Sequence, residues 1–175
     1  MRCLLDACVL YPTIVREVLT GVAAEGAFTP LWSPRILEEW RRAALRHGED
    51  DRVTITLLED RFRGASVDVP EEAVADLSLP DNNDRHVLAA AIAGRADAII
   101  TFNLKDFPGR TLARYGVQPL HPDAFLWSLH GEAPEQVARV IHDTHARAEA
   151  AYGQPYPLRK MLKRSHLPRM GKLLG

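Results

Sequence analysis

The sequence predicts an α/β fold in which helices cover both faces of a central parallel sheet, a three-layer α/β/α arrangement. Three observations predict it. Short apolar segments at 2–5, 98–102 and 117–120 are typical of buried strands. Helical patterns separate these segments and no hairpin turn joins them, which favours parallel strands. The chain has 175 residues, 46% of them hydrophobic, which is enough to bury one sizeable core.

The predicted helices follow from capping residues and from apolar residues at helical spacing. Pro12 and Gly26 bound the first helix, and Ser33 is a suitable N-cap for the second, with Pro34 at its first position. A short strand is also expected at 67–69. Further helices are expected at 51–64, 71–75, 84–93, within 103–115, at 123–129, at 134–152 and, as a proline-broken basic segment, at 156–175.

Charge and apolar patterning restrict the class of protein. Residues 158–175 contain six Lys and Arg and no acid, which leaves 16 basic and 23 acidic residues in 1–157. Such an uneven distribution is common in chains that bind nucleic acid or an acidic partner, although a solvated helical end explains it equally well. No apolar run is long enough to span a membrane, and Asp6 excludes a signal peptide. Cys3 and Cys8 fit neither a redox nor a zinc motif, so we expect reduced thiols in a cytoplasmic protein without a membrane partner.

Acidic residues follow the predicted strands, where parallel sheets bind their ligands. Asp6 ends the first strand, and Asn103 and Asp106 follow the second. An Asp in such a place is also a common turn former or helix cap. Asp84 lies on the apolar stripe of its helix, so it either caps that helix, with Asp81, or faces a cleft.

A helical wheel separates the neighbouring acids Glu38 and Glu39. Glu38 falls opposite the apolar face, beside Arg41 and Arg42, and is expected to be solvated. Glu39 lies at the border of the buried face. Asp6, Glu39, Asp84 and Asp106 can therefore converge at one end of the sheet. Crowded carboxylates without His or Cys select Mg²⁺ or Mn²⁺, and such a site suggests hydrolysis of phosphodiesters.

Four segments of the chain contain these acids: LLDACVL at 4–10, SPRILEEW at 33–40, DNNDRHVLAAA at 81–91 and TFNLKDFP at 101–108. In this order they resemble the four motifs of PIN-domain ribonucleases. The resemblance implies a PIN-like nuclease domain at 1–130. The helical, basic segment 131–175 resembles the C-terminal extension of one branch of VapC-type toxins.

The resemblance also implies a function and its partners. It implies a Mg²⁺- or Mn²⁺-dependent endoribonuclease that hydrolyses RNA, the toxin of a toxin–antitoxin pair, inhibited by a small antitoxin protein. Members of this family commonly pair as dimers, so a homodimer is open. By position, the catalytic and metal-binding residues would be Asp6, Glu39, Asp84 and Asp106.

Further residues would support these acids. Thr101, Asn103, Asp81 and Ser33 match supporting positions, although many relatives carry Asp where this chain has Asn103. The candidate RNA-binding residues are Arg85, Arg159, Lys160, Lys163 and Arg164. The basic tail is equally suited to an acidic antitoxin segment.

Two other classes of function stay open. A non-catalytic RNA- or partner-binding module would keep the same fold, and an Asp-nucleophile phosphatase would use Asp6. The phosphatase is disfavoured because Cys8 stands where a second Asp is expected. His142 and His145 are expected on an exposed polar face rather than at a metal. The three tryptophans, Trp32, Trp40 and Trp127, are expected in the core.

Overall fold

The computed structural model describes residues 1–175 and contains four strands and eleven helices. The strands are β1 (Arg2–Leu5), β2 (Thr29–Leu31), β3 (Ala98–Ile100) and β4 (Gln118–Leu120). The helices are α1 (Ala7–Leu10), α2 (Thr13–Ala24), α3 (Pro34–Arg46), α4 (Arg52–Arg61), α5 (Glu71–Ala75), α6 (Arg85–Ala93), α7 (Gly109–Ala113), α8 (Pro122–Glu132), α9 (Pro134–Tyr152), α10 (Leu158–Arg164) and α11 (Pro168–Leu174). Single 3₁₀ turns lie at Asn82–Asp84 and Leu104–Asp106.

The four strands form one parallel sheet in the order β2-β1-β3-β4. Leu4 of β1 is in register with Leu31 of β2 and Ile99 of β3, and Ile99 is in register with Pro119 of β4. The side chains of Leu4 and Ile99 are completely buried, as expected for central strands covered on both faces. The predicted α/β class, with a parallel sheet, flanking helices and additional C-terminal helices, is confirmed.

The chain divides into two compact units. The first contains 1–11 and 28–120 and holds the whole sheet. Within it α6 packs against β1 and β3, and α7 packs against β4. Trp32 and Trp40, both fully buried, are among the largest side chains of the core. The sheet and its carboxyl ends therefore belong to this unit.

The second unit contains 12–27 and 121–175 and is entirely helical. Helix α2 packs against α8 and α9, and α11 packs against α8 and α10. Gly21 allows α2 to approach α9 closely, because a Cβ atom at this position would lie 2.5 Å from Cγ1 of Val140. At the other end of the unit, Asp123 of α8 accepts hydrogen bonds from the backbone N–H groups of Arg169 and Met170 and so caps α11.

Several predicted elements need correction. Strand β2 is not predicted by the sequence, because it has only three residues and contains Pro30. The strand expected at 67–69 is absent, and only an isolated parallel bridge joins Trp32 to Ser66. The proline-broken segment 156–175 forms two helices, the second of which begins at Pro168. The division at residue 130 into a nuclease domain and an extension stays a prediction.

Trp127 is also a correction, because 46% of its surface is exposed instead of lying in the core. The apolar neighbours that suggest a buried position, Phe125, Leu126 and Leu129, point to the other side of α8 and are themselves buried. None of the helices combines the length and apolar character that crossing a bilayer requires.

Asp123→Ala is expected to lower the free energy of unfolding by about 2 kcal/mol, because it leaves two backbone donors at the start of α11 without their acceptor. Urea denaturation followed by circular dichroism measures the change. Asp143→Ala, which truncates an exposed Asp of α9, is the matched control and should leave the midpoint unchanged. Equal midpoints for the two variants would show that Asp123 does not stabilise α11.

Candidate active site

The candidate site is built at the carboxyl ends of the two central strands. Asp6 directly follows β1 and Thr101 directly follows β3. The backbone N–H of Asp6 still donates to the carbonyl of Ile100, at 3.2 Å, so the strand pairing continues up to the acid. Asp6 then caps α1 by accepting a hydrogen bond from the N–H of Ala7 at 2.7 Å. Asp6 can therefore both cap α1 and belong to the site, because the cap occupies only one of its two carboxylate oxygens.

The second oxygen of Asp6 is held by two side chains. Thr101 Oγ1 donates to Oδ2 at 2.8 Å and the Cys8 thiol donates to the same oxygen at 3.3 Å. Burial is the largest influence and raises the pKa of Asp6, whereas these hydrogen bonds oppose the shift. Burial first, and then the negative charge of Asp6, raise the pKa of the Cys8 thiol to about 12, so Cys8 remains a protonated donor.

Glu39 reaches the same region and Glu38 does not. Glu38 is paired with Arg41 at 2.7 Å and with Arg42 at 2.8 Å on the solvent side of α3, as the helical wheel predicts. Its hydrogen bonds with the two guanidinium groups lower the pKa of Glu38 to about 2. Oε1 of Glu39 lies 2.7 Å from Nε2 of His86, in close contact but without the geometry of an aligned hydrogen bond.

Asp84 faces the cleft and not the end of its helix. Its side chain caps no backbone N–H group at the start of α6, although this is one of its two predicted roles. Oδ2 is buried and has no hydrogen-bond partner. Burial first, and then the charges of Asp6, Asp81, Asp106 and Glu39, raise the pKa of Asp84 to about 6.

Asp106 is joined to the site through Asn103. The Asn103 amide nitrogen donates to Oδ2 of Asp106 in a short hydrogen bond. The backbone N–H of Asn103 in turn donates to Thr101 Oγ1 at 3.0 Å, which connects this turn to Asp6. Asn103 itself lines the cleft, and Asp106 contributes its charge from behind it.

Together these residues surround an open cleft of about 470 Å³, here called the acidic cleft. Arg46, Arg42 and Tyr11 also line it, beside the acids, and Tyr11 is fixed by a hydrogen bond to Glu49. The full lining consists of Asp6, Ala7, Cys8, Tyr11, Glu39, Arg42, Ala43, Arg46, Asp84 and Asn103.

The donor set of the acidic cleft fits a hard divalent cation. Asp84 has a buried carboxylate oxygen without a partner, and the mutual repulsion of the acids is relieved by positive charge. No three acidic or imidazole side chains are close enough to enclose one ion by themselves. Mg²⁺ does not require such a group, because it usually keeps several waters and takes only one or two carboxylates directly from the protein.

The remaining predicted residues lie around the acidic cleft or away from it. Asp81 is exposed and accepts the N–H of Asn83 at 2.8 Å. Ser33 is buried and caps α3, which carries Glu39, by accepting the N–H of Ile36. The Arg85 guanidinium donates to the carbonyls of Asn82 and Leu77. The basic residues predicted to bind RNA in the tail, Arg159, Lys160, Lys163 and Arg164, are exposed residues of α10 in the second unit.

Three side chains of this region are not singled out by the sequence. In the sequence, Cys8 has only the features of a buried thiol. His86 is one of several histidines that belong to no motif. The signal for His86 is its position two residues after Asp84, on the side of α6 that faces α3. Arg46 lies two turns after Glu39 on α3, and this spacing places it on the same side of the helix.

The two histidines that form a candidate metal pair by spacing differ from the prediction of an exposed face in one case, because the side chain of His145 is only 18% exposed. His142 is exposed, and Nε2 of His145 lies 2.5 Å from the carbonyl oxygen of Tyr156. Neither side chain belongs to a group that could hold a metal ion.

The fold is that of a PIN domain, and the chain belongs to this family: the model of the PIN domain matches residues 2–105. This range includes Asp6, Glu39 and Asp84 and ends one residue before Asp106.

The chain is similar to a curated protein named "Putative ribonuclease VapC50" from Mycobacterium tuberculosis (strain ATCC 25618 / H37Rv). The two are 54% identical over 76 residues, which cover 40% of this chain and 45% of the relative. The chain thus spans less than half the length of the curated relative that it matches. No solved structure matches the chain.

Asp84→Asn is expected to stabilise the protein at pH 7.5 in the presence of a chelator. The pKa of Asp84 is raised from 3.8 to about 6 on folding, so between these values the folded chain binds more protons than the unfolded chain. Stability therefore falls as the pH rises through this window and stays reduced above it. After discounting for solvent screening, the gain at pH 7.5 is about 1 kcal/mol, and it disappears below pH ~4.

Chemical denaturation at the two pH values measures this difference. Asp60→Asn, at an exposed acid of α4, is the control and should change neither value. An Asp84→Asn protein that is less stable than the native chain at pH 7.5 without divalent metal would contradict the repulsion described above.

Proposed function

We propose that the chain is a metal-dependent endoribonuclease that hydrolyses RNA phosphodiester bonds. The observation that carries this proposal is the buried, unpartnered oxygen of Asp84, which faces Asp6 and Glu39 across the acidic cleft of a PIN domain. A buried carboxylate oxygen without a partner destabilises the metal-free protein, and a bound cation or a hydrogen-bond donor would remove that cost. The name of the curated relative, which describes a ribonuclease, supports the same activity.

The residues that would hold Mg²⁺ or Mn²⁺ are Asp6 and Asp84 directly, with Glu39 and Asp106 acting through bound water. When bound, the ion would polarise the scissile phosphate and lower the pKa of a water molecule. Burial raises the pKa of Asp6, and the hydrogen bonds from Thr101 and Cys8 oppose that shift by stabilising its ionised form. Asn103 holds Asp106 in place, and Asp81 adds negative charge beside Asp84.

Glu39 is the residue best placed to orient the attacking water. Its carboxylate is partly exposed, in contrast to Asp6, so it is open to water and to substrate. The contact with His86 limits its rotation, and Ser33 fixes the start of the helix that carries it. The oriented water would attack phosphorus in line with the 3′ oxygen and give up its proton to Glu39, while the bond from phosphorus to the 3′ oxygen breaks and that oxygen takes a proton from solvent.

Positive charge for the RNA backbone is available in both units. Arg46 lines the acidic cleft and can meet a phosphate there. Arg85 is committed to two backbone carbonyls and would need to leave them in order to do so. Arg159, Lys160, Lys163 and Arg164 provide the exposed cationic surface of α10, for RNA or for an acidic segment of an antitoxin.

The biological role we propose is that of the toxin of a toxin–antitoxin pair, held inactive by a small antitoxin protein. The similarity to the VapC-named relative supports this role. A homodimer and a cytoplasmic location stay predictions.

The test is cleavage of a defined pool of tRNA and rRNA by the purified chain with Mg²⁺, with Mn²⁺ and with a chelator. Cuts at discrete positions should require the metal and should be absent from Asp6→Asn and Asp84→Asn. Glu39→Gln should lower the rate by at least ~100-fold, the usual contribution of a positioned proton acceptor. Glu38→Gln is the matched control on the same helix and should retain cleavage, because Glu38 points to solvent and pairs with arginines.

Cleavage that survives in both Asp variants would come from a contaminating nuclease and would contradict the assignment. If the native chain and the folded variants bind the RNA equally and none of them cuts it, the protein is a non-catalytic RNA-binding module instead.

Asn103→Asp is expected to bind Mn²⁺ a few-fold more tightly than the native chain. The substitution adds a hard anionic oxygen to the acidic cleft, and affinity for such ions rises with the charge of the ligand set. Isothermal titration calorimetry measures the affinity, with Asn82→Asp in the neighbouring exposed turn as the control for added charge. Equal affinities for the native chain and Asn103→Asp would show that position 103 does not face the ion.

A further inference from the structure

A second cleft of about 420 Å³ lies in the helical unit, between α8 and α11, and the proposed nuclease chemistry does not use it. Its lining consists of Trp127 from α8 and Arg169, Lys172 and Leu173 from α11. We call it the tryptophan cleft. Its volume falls within the range of clefts that hold small molecules, so it suits one or two nucleotide-sized groups and not a whole helix.

Trp127 presents its indole ring to solvent in this cleft. It is 46% exposed, whereas the other two tryptophans, Trp32 and Trp40, are completely buried. Helix α8 already buries Phe125, Leu126 and Leu129 on its inner face. The core therefore does not need the ring of Trp127, and its exposed face is free to stack on another flat group.

The two cations beside this ring are not neutralised. Arg169 and Lys172 are exposed, and neither forms an ion pair with a carboxylate. The acid of α8 nearest to α11 in the fold, Asp123, is 4% exposed, and both of its oxygens accept backbone N–H groups. Residues 158–175 contribute no acid at all. The tryptophan cleft thus combines one exposed aromatic face with uncompensated positive charge.

We propose that the tryptophan cleft binds single-stranded RNA, with one base stacked on Trp127 and the adjoining phosphates paired with Arg169 and Lys172. This combination of stacking and phosphate contact is how proteins hold single strands without reading their sequence. A base paired in a duplex hides its flat face, so the cleft selects unpaired segments. The inference rests on the proposed RNA substrate and names the form in which that substrate is held.

The experiment measures binding of a fluorescein-labelled oligouridylate by the full chain in chelator, where cleavage is prevented. Trp127→Ala should raise Kd about tenfold, within the range found for loss of one base–aromatic stack. Trp127→Phe should restore most of the affinity, because it keeps a flat ring. Tyr115→Ala, which removes an aromatic side chain of similar exposure in the other unit, should leave Kd unchanged.

The salt dependence separates stacking from phosphate binding. Replacing both Arg169 and Lys172 with alanine should flatten the slope of log Kd against log salt, by about 0.7 for each phosphate that is no longer neutralised. Trp127→Ala should leave that slope unchanged, because stacking releases no counterions. The oligonucleotide should also quench the fluorescence of the native chain but not that of Trp127→Phe, since the two remaining tryptophans are buried.

Unchanged affinity and unchanged quenching in Trp127→Ala would overturn the inference while leaving the proposed function intact, if the native chain cleaves RNA. A native chain that neither binds nor cleaves RNA would overturn both. Quenching by a Glu-rich peptide of equal length and charge, with none by the oligonucleotide, would show that the tryptophan cleft is a protein-binding surface and would also overturn it.

Discussion

The first unit depends on how the buried carboxyl group of Asp6 is accommodated. This carboxylate ends β1, caps α1 and receives the hydroxyl of Thr101 from the end of β3, so it joins the two central strands to the first helix. The same position brings it close to Asp84, whose pKa is raised to about 6 by burial first and then by the charges of Asp6 and three other acids. The oxygens of Asp6 thus have hydrogen-bond partners, whereas the negative charge of the neighbouring acids is not neutralised. The chain therefore loses stability at this point, where several acids lie close together around the proposed metal site.

Much of this site follows from local sequence rules. The position of Asp6 follows from the short apolar strand that it ends, and the choice of Glu39 over Glu38 follows from the helical wheel of α3. The sequence could not separate a capping Asp84 from a cleft-facing one, because both roles place the same residue at a helix start. Only the absence of a backbone donor near its side chain decides between them.

What the sequence did not predict depends on contacts between distant segments. The segment Thr29–Leu31 is a strand because it pairs with β1, and Pro30 in its middle argues against a strand when the sequence is considered alone. His86 is informative only once α6 and α3 are packed, since its partner Glu39 is far away in the chain. Trp127 has apolar neighbours on both sides in the sequence, yet the packing of α8 buries them and leaves its ring outside.

The close approach of α2 to α9 has a consequence for how the protein is made. Helix α2 is encoded between β1 and β2, so it leaves the ribosome early, while α8 and α9, which pack against it, are synthesised only after the whole sheet. Until then the face of α2 that packs against these two helices, which includes Gly21, is uncovered in the nascent chain. Exposed apolar surface of this kind invites aggregation and chaperone binding. Deleting residues 121–175 would expose the same surface. Any defect of the shortened chain would therefore reflect the loss of packing on α2 as well as the loss of the deleted residues.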